Sequence, residues 1–524
     1  MKKLTLKKIP LMMIGLVLFY LITHLFKLTL LPVFADESIY IRWSQLIIDD
    51  ANRYLFFPLN DGKTPLQMWL MVPFQLLFSD PLFAGRLLSV LVGLVQIMVM
   101  GYLTKLLSGK NKASYLAMVL TTILPFWYFH HRMALTDGLL ALTLSLSLAA
   151  AISIVKTPLK KNKPQSISVW KKIKTVPILL LGLSFGAALW TKIPAVLFAP
   201  SILLTFLLST KKWSQNILTL FKLGFGLGLG LFIFLLLKIN PAFGQLFARG
   251  GDFLYPLSDI IAGGYLHTII NIPNYFAYLF AYLTFPVVTL LLFALFSPTM
   301  KKQQWFLILS FLSYFLPIAL MGRVVYPRYF LPVAIFLTLS AVLAIQEIVE
   351  LYVFKQNKLM IKTLASVFIT FTLSSIVTRS MIFVFYNLTD TNLIPFVAAD
   401  RTQYLTEWSS GHGIVQAVAF IQKQAQTKSV AVATEGFFGT LPDGILMYLH
   451  NQDVSNIYVE GIGQPVLTIP DVFKTRAREF ERIYLVVNSH RMGLQLDRSK
   501  LVSQYCRPFK APCLQIWDIT EIVK

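Results

Sequence analysis

The chain has 524 residues, 56% of them hydrophobic and only 14% charged, with a mean hydropathy of +0.66. That balance excludes a soluble globular protein and places the sequence among polytopic membrane proteins. The net charge of +23 does not point to nucleic acid, because the basic residues fall in short groups between apolar runs and form no stripe or tail.

Lys2, Lys3, Lys7 and Lys8 precede an apolar stretch from Leu11 to about Val33. It is longer than the ~7–15 residues of a signal core and no small-x-small cleavage site follows, so it reads as a retained first span. A span needs about 20 mostly apolar residues. About eleven stretches qualify, at 11–31, 82–104, 113–129, 133–155, 176–190, 193–210, 214–239, 272–297, 303–320, 329–353 and 363–386. With the N-terminus cytoplasmic, the inner loops hold Lys105, Lys110 and Lys112, the lysines of 156–174, Lys211 and Lys212, Lys301 and Lys302, and those of 355–362. This is the positive-inside pattern. The same alternation puts Asp36 to Asp80, His130-His131-Arg132, Lys192, Asp252, Asp259 and Arg328 on the outer side.

Asp36 and Glu37 follow the first span and open a long outer loop, 32–81. Acids in or near a bilayer cost several kcal/mol unless they face water or a partner, which makes the pair a functional candidate. A loop this long is more than a connector, and Tyr40-Ile41-Arg42-Trp43 with Leu46-Ile47-Ile48 has helical spacing, suited to a segment along the membrane surface. Gly62-Lys63-Thr64-Pro65 opens another short helix. It lacks the first glycine of a P-loop, so Lys63 suits a lipid phosphate better than a nucleotide.

His130-His131-Arg132 and Asp137 open the fourth span. Adjacent histidines point in different directions on a helix and a third ligand is missing, which argues against zinc. Asp137 lies deep enough to require a cation such as Arg132 or Lys192, or a polar cavity. Thr191-Lys192-Ile193-Pro194 and Arg328-Tyr329-Phe330-Leu331-Pro332 form two more outer corners. An arginine fork fits phosphate, and tyrosine can bond a sugar or phosphate oxygen. Lys63, Arg132, Lys192, Arg328 and Tyr329 are therefore the candidate contacts to a lipid phosphate.

After Asn387 the hydropathy falls, and 388–524 is long enough for one small domain outside the membrane. Its pattern predicts helices over 413–426 and 442–450, strands over 430–434, 457–460 and 483–488, and a hairpin near Val502 and Leu514: an α/β domain with a partly parallel sheet. Cys506 and Cys513, without histidines at zinc spacing, read as a disulfide in an oxidising compartment.

Taken in order and on one side, Asp36-Glu37, Lys63-Thr64-Pro65-Leu66 to Trp69, Gly85-Arg86-Leu87, Arg132 to Asp137, Thr191 to Pro194 and Arg328 to Pro332 resemble a GT-C glycosyltransferase of the branch that includes protein O-mannosyltransferases and bacterial aminoarabinose transferases. The resemblance covers residues 1–390 and implies a transmembrane domain over 1–387 and an enzyme of the plasma membrane. The donor would be a polyprenyl-phosphate sugar and the acceptor a glycan, lipid or protein. Asp36 would be the general base of an inverting transfer, with Glu37 supporting it and Asp137 orienting the acceptor or holding a cation. Lys63, Arg132, Lys192 and Arg328 would hold the departing phosphate among membrane lipids. Neither nucleic acid nor a metal cofactor is expected, since these acids make a thin cage for a divalent ion. Protein O-mannosyltransferases carry a large inserted lumenal domain that this sequence lacks. The competing classes are a lipid-linked sugar transporter or flippase, which would carry midplane charges on repeated halves, and a membrane scaffold whose working part is the tail.

Overall fold

A computed structural model describes residues 11–156, 175–210, 213–450, 452 and 455–524. Lys2, Lys3, Lys7 and Lys8, most lysines of the 156–174 loop, and Lys211 and Lys212, all used above for orientation, lie outside the described residues. The longer helices are α1 (Leu11–Leu25), α2 (Ala35–Asp49), α3 (Leu66–Leu77), α4 (Pro81–Ser108), α5 (Asn111–Ile123), α6 (Thr136–Lys156), α7 (Thr175–Thr191), α8 (Trp213–Leu235), α9 (Tyr265–Leu283), α10 (Phe285–Leu295), α11 (Lys301–Met321), α12 (Leu331–Ile348) and α13 (Leu359–Thr389).

The eleven apolar stretches do not become eleven long helices. Among the described residues six helices have the length and apolarity to cross a membrane: Pro81–Ser108, Thr136–Lys156, Asn216–Ile239, Lys301–Met321, Pro327–Phe354 and Leu359–Thr389. A seventh is made by Ile269–Leu283 and Phe285–Leu295 if that pair, bent by 111°, is one span. The other four stretches give shorter helices. Proline is the cause in two of them: Pro125 splits 113–129 into two helices, and Pro194 and Pro200 divide 193–208 into short turns of alternating type.

The outer loop folds back onto the bundle. Asp80 accepts hydrogen bonds from the amides of Leu82 (2.9 Å) and Phe83 (3.1 Å), and Pro81 fills the first turn, so α4 starts sharply. α2 crosses α4 where Gly85 stands; a Cβ there would lie 2.9 Å from Ile41 Cγ1, so glycine permits the approach. Ile41 and Trp43 are buried, and α2 packs on α3 and α4 in the helical core.

The tail comprises α14 (Ile414–Ala425), β1 (Val430–Thr434), α15 (Asp443–Leu449), β2 (Ile457–Gly461), α16 (Asp471–Ala477), β3 (Arg482–Asn488), β4 (Leu501–Cys506) and β5 (Cys513–Asp518). The sheet order is β2-β1-β3-β5-β4, with β2, β1 and β3 parallel and the β4–β5 hairpin antiparallel, which matches the alternation read from sequence. Short α16 was not anticipated. Ile414, Ile445 and Val486 bury one face, and Phe473, Leu485 and Ile519 the other. Cys506 and Cys513 form a disulfide across the hairpin. The tail is joined to α2: Ser38 Oγ donates to the Gly439 carbonyl (2.8 Å), and Gln45 Nε2 to that of Met447 (2.9 Å).

Candidate active site

Two adjacent acids in the first turn of α2 have opposite surroundings. Glu37 is fully buried. It accepts Arg86 Nε (2.8 Å) and Nη2 (2.7 Å), the amide of Ala134 (2.7 Å) and the amide of Phe34 (3.0 Å), so it caps α2 and ties it to α4 and the entry of α6. Its carboxylate has no oxygen left for chemistry. Asp36 keeps 23% of its side-chain surface accessible and sits between two cations, Lys63 Nζ at 3.2 Å and Arg328 Nη2 at 2.9 Å.

Those cations come from distant parts of the chain and are held by further partners. Lys63 also meets Asp61 (3.0 Å), which in turn meets Arg249 (2.6 Å), and its ammonium lies 5.0 Å from the Tyr40 ring centre. Arg328 stands 5.0 Å from the ring centre of Phe34 and 5.7 Å from that of Tyr329. Lys192 belongs to the same cluster, paired with Asp137 at 2.8 Å and lying 4.8 Å from the Tyr329 ring centre. Lys192 and Arg328 thus both contact the Tyr329 ring, and Asp137 takes the partner Lys192 of the two cations open from sequence.

Burial raises the Asp36 pKa, but the charges of Lys63 and Arg328, and more weakly Lys192, outweigh it and hold the carboxyl well below the usual carboxylate range. For Lys63, burial disfavours the ammonium, yet Asp36, Tyr40 and Asp61 hold its pKa above the ordinary lysine value. Resting Asp36 is therefore an ionised, weakly basic carboxylate between two firm cations.

Arg132 does not join them. Its guanidinium donates to the carbonyls of Thr23 (2.8 Å), His24 (2.8 Å), Phe26 (3.1 Å) and Lys27 (3.0 Å), satisfying the exposed C-terminal end of α1. The structure places the guanidinium on these carbonyls, apart from the Asp36 clamp. Tyr40 and Asp61 belong to the cluster and were not singled out from sequence. Tyr40 lies one turn beyond Asp36, the i,i+4 spacing that shares a helix face, and this signal was legible. Among the described residues no group of three or more His, Cys, Asp and Glu side chains is placed to hold a metal ion.

Comparison with known proteins bears on this arrangement. Residues 62–237 match the family described as dolichyl-phosphate-mannose-protein mannosyltransferase. No curated protein matches the sequence at a significant level. Among solved structures, ArnT from Cupriavidus metallidurans bound to undecaprenyl phosphate is similar, at 15% identity and a TM-score of 0.59, over 96% of this chain and 97% of that one. The oligosaccharyltransferase AglB from Archaeoglobus fulgidus, in complex with an inhibitory peptide and a dolichol-phosphate, is similar at 12% identity and a TM-score of 0.53, over 91% of this chain and 69% of that one. The chain therefore has the GT-C glycosyltransferase fold, the one implied by the resemblance of its Asp36, Lys63 and Arg328 segments.

Proposed function

We propose that the chain is an inverting glycosyltransferase that moves a sugar, hexosyl or pentosyl, from a polyprenyl-phosphate-linked donor to an acceptor hydroxyl at the outer face of the cell membrane. The N-terminus would be cytoplasmic, 1–387 the membrane domain and 388–524 extracytoplasmic. The observation that carries this reading is an accessible carboxylate, Asp36, clamped by Lys63 and Arg328. The similar structures solved with undecaprenyl phosphate and with a dolichol-phosphate support the donor class.

The clamp has a chemical use. A donor phosphate entering the site competes with Asp36 for Lys63 and Arg328, and each bond it wins returns basicity to Asp36. The freed carboxylate takes the proton of the acceptor hydroxyl as its oxygen attacks the anomeric carbon. The bond from that carbon to the phosphate oxygen breaks, its electron pair stays with the phosphate, and the phosphate charge rises from −1 to −2. Two cations already in place stabilise that added charge without reorganisation. Attack opposite the leaving group inverts the anomeric centre. Glu37 acts through Arg86 by fixing α2, and Asp137 by holding Lys192 beside Tyr329.

The reaction uses no metal in this reading, because Asp36, Asp61 and Asp137 are engaged by Lys63, Arg328, Arg249 and Lys192. Purified protein incubated with a panel of polyprenyl-phosphate sugars and an envelope extract that supplies acceptor hydroxyls is expected to release polyprenyl phosphate, undiminished by EDTA. No release from any donor, or full release by Asp36→Asn, overturns the proposal.

A further inference from the structure

The parallel strands of the tail end on one side. In open α/β sheets the crevice beyond the carboxyl ends of the strands is the usual ligand site, and here that edge lies against α2. The loop after β1 reaches α2 through Gly439, whose carbonyl takes the Ser38 hydroxyl. Gly439 has φ +108°, and a Cβ on it would lie 3.4 Å from the Trp408 ring and 4.0 Å from Ala35 Cβ. Ala35, the neighbour of Asp36, donates its amide to the Ser409 carbonyl at 2.9 Å. Trp408 and the β1 loop thus border the turn of α2 that carries Asp36.

The edge is built from fixed polar groups with aromatic rings between them. Glu435, directly after β1, is 2% exposed; it accepts the amide of Asn488 at 2.8 Å and its side-chain Nδ2 at 2.5 Å, locking the ends of β1 and β3 together. Arg491 stands 3.7 Å from Glu435 and 4.1 Å from the ring centre of Trp408. His490 stands 3.4 Å from Glu407. Phe437 at the loop tip is 71% exposed. Thr434 Oγ1 and Asn488 Oδ1 are buried at the same edge without a hydrogen-bond partner among the described residues.

We propose that this edge, formed by Trp408, Phe437, Glu407, His490 and Arg491, is the binding site for a neutral, polyhydroxylated acceptor, that is, a glycan. This rests on the glycosyltransferase reading above and names its acceptor. The apolar C–H faces of a pyranose pack on aromatic rings, while planar carboxylate, imidazole and guanidinium groups bond its hydroxyls. Arg491 is paired with Glu435, and Glu407 stands beside a His490 imidazole that burial keeps from protonating, so these groups leave no unpaired cation to select a phosphate or carboxylate ligand. The donor phosphate has its own cations at Lys63 and Arg328, so a second sugar site beside Asp36 fits the nucleophile.

The test uses the full chain in lipid nanodiscs with a reactive polyprenyl-phosphate sugar. An envelope extract of the source cells is separated into neutral glycans, peptides and anionic lipids. The neutral glycan fraction is expected to accelerate release of polyprenyl phosphate. Trp408→Ala, Phe437→Ala and Arg491→Ala should each raise the half-saturating glycan concentration roughly tenfold, the loss of one good contact, with that of the donor within twofold. Phe437 is exposed, so its truncation leaves the fold intact. Acceleration by the peptide or lipid fraction alone, or unchanged glycan dependence in the three variants, overturns the acceptor site and leaves the transferase reading standing. Absence of release from every donor removes both.

Discussion

Glu37 and Arg86 form a two-pronged ion pair with side-chain exposures of 0% and 1%, one residue along α2 from an aspartate that stays accessible. Removing one member of such a pair leaves a buried charge and typically costs about 3–5 kcal/mol. Glu37→Ala and Arg86→Met are therefore expected to lower the unfolding temperature of the detergent-solubilised protein by many degrees. Asp36→Asn should lower it by clearly less, because Lys63 keeps Asp61 and the Asp36 side chain is partly accessible. Equal thermal losses in all three variants contradict the division between a structural and a reactive acid.

The clamp on Asp36 makes a two-part prediction. Asp36→Asn should reduce kcat by about 10²–10⁴, the usual worth of a general base. The same change releases Lys63 and Arg328 from their carboxylate, so polyprenyl phosphate is expected to bind more tightly than to the native protein. Isothermal titration with short-chain polyprenyl phosphate measures this directly. Weaker binding to Asp36→Asn overturns the competition between carboxylate and phosphate.

The same competition has a pH signature. In the free protein the Asp36 pKa is depressed by Lys63 and Arg328, so the carboxylate persists as pH falls below the ordinary value of 3.8. Its stabilising contribution is present above that value and lost only as pH drops through the lower folded value. Because kcat/KM reports the free protein and kcat the donor complex, the acid limb of kcat should lie at higher pH than that of kcat/KM. Coincident limbs show that the donor does not displace the cations from Asp36.

The sequence announced the parts of this site more readily than their wiring. Asp36, Lys63, Lys192 and Arg328 stand out because charges are rare in so apolar a chain, and rarity survives without knowledge of the fold. The strands of the tail were legible because apolar runs over 430–434 and 483–488 are bounded by polar turns. What sequence left open is which acid takes which cation. Arg132 and Arg328 look alike beside helix starts, yet one ends at the carbonyls of α1 and the other at Asp36. Helix length was overread at Pro125 and Pro194, where apolar composition continues through a broken backbone.

Arg132 makes a direct contrast with Arg328. Its bonds to four carbonyls hold the end of α1, and an arginine spent on capping contributes to stability instead of ligand affinity. Arg132→Met should lower the unfolding temperature and leave the donor KM within twofold. Arg328→Lys keeps the charge but loses the fork, and should raise the donor KM several-fold with little thermal change. Exchange of these two outcomes restores Arg132 to the phosphate site.

Asp400, at the start of the tail, is an acid that no sequence signal marked. It is 2% exposed, and Tyr282 donates to its Oδ2 at 2.6 Å, while Oδ1 is buried without a partner among the described residues. Burial pushes its pKa up to about 7, with the Tyr282 bond and the charge of Arg328 pulling partly back. An acid raised in this way binds its proton more tightly folded than unfolded. Stability is then greatest near and below pH 4, falls as pH rises through the interval up to about 7, and is level above it. At about 1.4 kcal/mol per pKa unit the loss amounts to a few kcal/mol. Asp400→Asn imitates the protonated acid, so it should abolish this slope and exceed the native protein in stability at pH 8. Thermal unfolding at pH 5 and pH 8 decides the matter: a variant less stable than the native chain at pH 8 means that Asp400 works as an anion, held for the sake of Arg328.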